Sequence, residues 1–183
     1  MDCNVANPAE AGALARQIVI GLIPRAFLTM ANVEAVVEPE MVESPASGPR
    51  RSVAGVIGWV GTLSGTGILE CSPDFACTLA NRMLGTERTA LTEFALDAVA
   101  EMTNIVFGGM KTELERCFGA MALSIPTIVY GTDVEMRTSG ELVAALPIRI
   151  GTEVMQVKLY MNHPDEARTA MSQYWTISCA NKQ

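Results

Sequence analysis

The chain has 183 residues, of which 49% are apolar and 18% charged, and a net charge of −7. This length and composition fit one folded domain with a sizeable core and exclude a disordered chain. The acidic balance argues against nucleic acid and anionic membrane surfaces as partners, because both are held by clustered Lys and Arg.

The N-terminal Met1-Asp2-Cys3-Asn4 lacks a basic leader region. The longest early apolar run, Ile18 to Ile23, lies between Arg16 and Arg25 and is too short to span a bilayer. A cytoplasmic location is therefore expected. Asn7-Pro8-Ala9-Glu10 opens a helix, with Asn as cap, Pro in the first turn and Glu three residues after the cap. Leu14, Ile18, Leu22 and Phe27 form its apolar stripe, and Pro24 is expected to kink or end it. Val33 to Val37 reads as a strand rich in β-branched residues. Residues 39–51 hold Pro39, Pro45, Ser47, Gly48 and Pro49 and read as a surface loop.

Ser52 to Val60 and Gly67 to Glu70 are expected to form two strands about a Gly-rich turn. The turn lacks the Gly-Lys-Ser/Thr ending of a P-loop and opens no helix, so a β-hairpin with Gly at positive φ is the reading. Ser72-Pro73-Asp74 starts a second helix and Gly85 stops it, with Phe75, Leu79, Ala80 and Met83 on its buried side. A long third helix, capped by Thr89 or Thr92, runs to about Cys117. Ala120 to Tyr130 contains a strand that Pro126 confines to an edge or a bulge. Leu142 to Ile150 and Val154 to Met161 form a hairpin across Gly151-Thr152-Glu153. Pro164 to Gln173 reads as a short last helix, followed by a tail. The sum is an α/β two-layer sandwich with a six-stranded, mixed and largely antiparallel sheet, in a single domain over 1–183.

The five cysteines, Cys3, Cys71, Cys77, Cys117 and Cys179, form no CxxC pair and are expected to be reduced and mostly buried. The single histidine, His163, precedes Pro164 and suits a turn, which leaves little room for histidine triads or zinc sites.

The third helix carries the chemistry. Glu93, Asp97, Glu101, Asn104, Gly108, Lys111 and Glu115 fall on one stripe, and Val99, Met102, Val106 and Met110 fall opposite, edged by Leu96, Phe107 and Leu114. Asn104, Gly108 and Gly109 are poor helix formers, and each mid-helix Gly costs about 1 kcal/mol relative to Ala. A helix that accepts them offers a bare patch where another backbone can approach. Glu101 and Asn104 project side by side, about 5–6 Å apart at Cβ. Neither is a nucleophile, and an amide is no general base. The pair makes chemical sense if the reacting group sits on a partner, with the carboxylate holding a cation and the amide orienting a water.

Asp97-x-x-x-Glu101-x-x-Asn104, followed by Gly108 and later Pro126, resembles the signature of the CheC/CheX/FliY phosphatases of bacterial chemotaxis. The order of elements from about residue 7 to 161 agrees, and the single Glu-x-x-Asn copy is similar to the CheX-like members. The resemblance implies that the chain removes the phosphoryl group from the aspartate of a phosphorylated, CheY-like response regulator. It implies that Asn104 places the attacking water and Glu101 pairs with the partner's lysine, with Asp97 and Gly108 beside them in the partner-binding surface. It further implies no cofactor in this chain, Mg²⁺ held by the partner, and a homodimer. The alternative is a non-catalytic binding or flagellar-switch-type domain of the same fold. A self-contained metal or nucleophile enzyme is the least favoured reading.

Overall fold

The structure, a computed structural model, describes residues 8–39, 51–87 and 89–162. The expected Asn7 cap, most of the 39–51 loop, Cys3, Cys179, His163 and the helix and tail after Pro164 lie outside the described residues. In chain order the elements are α1 (Pro8–Ala31), β1 (Val36–Val37), β2 (Arg51–Gly61), β3 (Gly65–Cys71), α2 (Pro73–Leu84), α3 (Glu93–Phe118), β4 (Met121–Leu123), β5 (Thr127–Thr132), β6 (Glu141–Ile150) and β7 (Glu153–Met161). The strands form one seven-stranded sheet in the order β1-β6-β7-β3-β2-β4, with β5 also on β2. Every pairing is antiparallel.

The α/β sandwich is as expected, with one strand more and no parallel pairing. The extra strand comes from Pro126. Met121–Leu123 and Thr127–Thr132 both pair with β2, at Trp59–Gly61 and at Arg51–Val56. The proline, which cannot donate to a ladder, sits in the break between them. The strand expected at Val33–Val37 shrinks to two residues, opposite Ile148 and Arg149.

The α1 helix departs from expectation twice. It continues through Pro24 to Ala31. Residues on both sides of the proline, Val19, Ile23 and Phe27, are fully buried, and their packing outweighs the roughly 3 kcal/mol a mid-helix proline costs. Arg25 Nε donates to the Gly21 carbonyl at 2.9 Å, next to the carbonyl that the proline leaves unserved. The buried stripe is also rotated by one residue. Ala11, Ala15, Val19, Ile23 and Phe27 are buried, while Leu14, Ile18 and Leu22 pack at its edge. The small residues let α1 lie close to β6, where a Cβ on Gly12 would stand 3.0 Å from Val143. By length and composition alone α1 is long and apolar enough to cross a membrane. Its buried stripe instead belongs to the core shared with the sheet and α3.

The α2 helix begins and ends where its caps predict. Ser72 Oγ accepts from the Phe75 amide at 3.0 Å, and Gly85 closes it in the left-handed region at φ 66°. Met83 is half-buried at the core margin. The Gly-rich segment after β2 is a hairpin turn, and Gly151 turns the β6–β7 hairpin at φ 61°. The core lies between the helices and one face of the sheet, where Val53, Ile57, Trp59, Leu69, Leu146, Ile148, Val157 and Leu159 are buried.

Candidate functional site

The α3 helix is fastened to the sheet by contacts that leave no room to roll. At Gly55 of β2 an added Cβ would lie 2.0 Å from Thr103 Oγ1, so this strand position admits only a glycine under the helix. Thr103 is fully buried, and its hydroxyl donates to the Val99 carbonyl at 2.7 Å. One turn on, Phe107 lies over Gly67 and stacks on Trp59, with ring centroids 6.4 Å apart. Val99, Met102, Val106, Met110 and Leu114 are fully buried on the same side. Fixing this face fixes the opposite one.

That opposite face presents Glu93, Asp97, Glu101 and Asn104 to solvent, as the periodicity predicts. Asp97, Glu101 and Asn104 line one open cleft of about 620 Å³ with Ala100, Leu123, Ser124, Ile125 and Pro126. One wall is therefore the acidic and amide face of α3. The other is the β4–β5 break, which the sequence marked only through Pro126. Among the described residues no side chain pairs with Glu101 or Asn104. A carboxylate and an amide so placed keep their full capacity for an external cation, water or donor.

The two expected glycines play different parts. A Cβ on Gly108 would meet nothing within 4 Å, so the helix surface one turn beyond Asn104 is open. A Cβ on Gly109 would stand 3.1 Å from Leu22 of α1. Gly109 thus serves helix packing inside the chain and is no part of the bare patch.

Lys111 and Glu115, expected on the polar stripe, tie the end of α3 to the next strand. Glu115 accepts the Met121 amide at 2.8 Å and pairs with Lys111 Nζ at 2.9 Å. The Met121 amide, then Lys111, hold its carboxyl below the usual range. This anchor sets where β4 leaves the helix and hence where the strand wall of the cleft stands.

Among the described residues no three His, Cys, Asp or Glu converge on a common point. Cys71 and Cys77 are buried as expected, whereas Cys117 is exposed near the end of α3. Burial first, then the charges of Glu70 and Glu153, push the Cys71 thiol up to about 12, so it is protonated and unreactive at neutral pH.

Residues 53–149 match the family model described as chemotaxis phosphatase CheX. The chain is 31% identical over 103 residues to the CheY-P phosphatase CheX of Thermotoga maritima, covering 56% of this chain and 66% of that protein. Its fold is similar to that of the chemotaxis protein CheX from Vibrio vulnificus, with a TM-score of 0.70 and 22% identity over 81% of this chain and 96% of that one. It is also similar to CheX in the CheX-CheY-BeF3-Mg²⁺ complex from Borrelia burgdorferi, with a TM-score of 0.66 and 16% identity over 81% and 97% of the two chains.

Proposed function

The chain belongs to the family of the chemotaxis phosphatase CheX, and from that premise we propose that it hydrolyses the aspartyl phosphate of a phosphorylated, CheY-like receiver domain. The observation that supports the reading is the open cleft in which Glu101 and Asn104 stand together with no side-chain partner among the described residues. The T. maritima relative is a CheY-P phosphatase, and the B. burgdorferi relative forms a complex with CheY.

In this reading the Asn104 amide enters the partner's phosphorylation site. Its carbonyl oxygen accepts a hydrogen bond from a water molecule and holds that water in line with the acyl phosphate. The water oxygen forms the new P–O bond as the bond to the aspartate oxygen breaks, releasing inorganic phosphate and the free carboxylate. Glu101 accepts from the partner's lysine ammonium, which fixes the two molecules in register. Asp97 lies on the same wall, and the bare surface at Gly108 leaves room for the partner's backbone. Mg²⁺ belongs to the receiver, where it neutralises phosphoryl charge. Catalysis of this kind is positioning, because neither Asn104 nor the lysine-paired Glu101 serves as nucleophile or base.

That same poverty of intrinsic chemistry favours one second reading, a binding module that docks on receivers without hydrolysing them. Phosphoryl decay separates the two. The phosphatase reading expects faster decay with wild type and no acceleration with Asn104→Ala. The binding-module reading expects comparable affinity for phosphorylated and unphosphorylated receiver and no change in decay. A cytoplasmic homodimer completes the phosphatase reading, and sedimentation that finds only monomer at high concentration would count against it.

A further inference from the structure

Ile125 is 87% exposed, the most exposed of the large apolar side chains among the described residues. Its position is nevertheless built. Ser124 is clamped to β2 in both directions: its amide donates to the Gly58 carbonyl at 2.9 Å, and its hydroxyl accepts from the Gly58 amide at 3.0 Å. Pairing resumes at Thr127, opposite Val56. Two residues, Ile125 and Pro126, thus stand against the single Ile57. This two-against-one count is the geometry by which a β-bulge re-aims a side chain. Pro126 restricts the backbone of Ile125 to extended conformations, which narrows its freedom further. The bulge aims an isoleucine into water at the rim of the cleft that holds Glu101 and Asn104.

We propose that Ile125 is a specificity-determining contact for the receiver, seated on an apolar patch beside the phosphorylation site while α3 reaches into that site. The inference rests on the proposed dephosphorylation and adds the contact that selects the partner. The cleft itself names the occupant. Ile125 lines the same opening as Asn104, so a body that takes Asn104 into its own pocket must also cover Ile125. A second copy of this chain seated there would close the cleft. The wall chemistry is divided accordingly: Asp97, Glu101 and Asn104 on the helix side meet a cationic and phosphorylated centre, while Leu123, Ile125 and Pro126 on the strand side meet an apolar border.

The test compares wild type, Ile125→Asp and Ile125→Leu on the CheY-like receivers of the same organism, phosphorylated with acetyl phosphate. Rates of phosphoryl decay are measured across receiver concentration, and binding is measured to the beryllofluoride-activated receiver. Ile125→Asp is expected to raise KM and Kd at least tenfold with kcat within twofold, and Ile125→Leu to restore both constants. Unchanged KM and Kd in Ile125→Asp, or a fall confined to kcat, would overturn the proposal. So would a change in sedimentation with no change in receiver binding, which would assign Ile125 to a contact between copies. If wild type binds a receiver without hastening decay, and Ile125→Asp weakens that binding, the hydrolase reading fails and the docking contact stands. Wild type that binds no receiver overturns both. Equal far-UV circular dichroism spectra exclude misfolding as the cause.

Discussion

Replacing Gly55 by alanine should loosen the contact that seats α3 on the sheet. The new Cβ would lie 2.0 Å from Thr103 Oγ1 and 3.0 Å from Thr103 Cβ, more than an ångström short of ordinary contact at the hydroxyl. Thr103 cannot swing aside easily. It is fully buried, β-branched, and held to the Val99 carbonyl. Overpacking of this kind costs about 1–3 kcal/mol. The loss of backbone freedom in the unfolded chain returns about 0.4–1 kcal/mol. The steric term wins, and the net expectation is about 1–2 kcal/mol of destabilisation, or a fall in Tm of roughly 2–8 °C for a chain of this size. Urea unfolding of Gly55→Ala, Thr103→Ala and the double variant isolates the contact. Thr103→Ala removes the offending hydroxyl, so the two changes should be non-additive by about 1 kcal/mol or more in the compensating direction. A Gly55→Ala protein as stable as wild type, with strict additivity in the cycle, would refute the account of how α3 is held.

Two further changes probe neighbouring parts of α3. Gly108→Ala should raise stability by about 0.5–1 kcal/mol, since the added methyl meets open space and alanine favours the helix; thermal unfolding should show a smaller gain for Gly109→Ala, whose methyl must displace Leu22. Glu115→Gln should lower stability at pH 7, because the folded chain depresses the carboxyl pKa and the charged form is the one that binds the Met121 amide and Lys111. The advantage of glutamate is present above the unfolded carboxylate pKa and disappears as pH falls through the depressed folded value, so the two unfolding midpoints should converge in acid. Midpoints that keep their separation at low pH would show that the carboxylate charge is not what anchors β4.

Local chemistry made some elements legible from the chain alone. Ser72 and Gly85 mark α2 because each supplies a cap that satisfies backbone groups at a helix end. The polar stripe of α3 is readable because one helix face packs on a sheet and the other does not, which produces a clean period. The α1 helix is harder because two signals mislead. Pro24 looks like a terminator until the burial of Val19, Ile23 and Phe27 is known, and the buried alanines are invisible to a search for large aliphatics. Tertiary packing sets both.

The site divides in the same way. Asp97, Glu101 and Asn104 share a stripe in the sequence and share a cleft in the structure. Gly108 and Gly109 look equivalent in the chain, and only the position of Leu22 separates them. The strand wall of the cleft carries no helical or strand period. Its one local signal is Pro126, and the orientation of Ile125 depends on long-range bonds between Ser124 and Gly58. The register of β4 and β5 against β2 is a property of the assembled sheet, beyond the reach of local pattern.

The most direct test of the proposed function is the rate of phosphoryl decay of a cognate receiver at saturating concentrations of wild type and Asn104→Ala. If Asn104 holds the attacking water, wild type accelerates decay, and the alanine variant loses about two orders of magnitude of that acceleration or more while still binding the beryllofluoride-activated receiver. Equal acceleration by the two proteins would show that Asn104 places no water and that the account of the cleft is wrong.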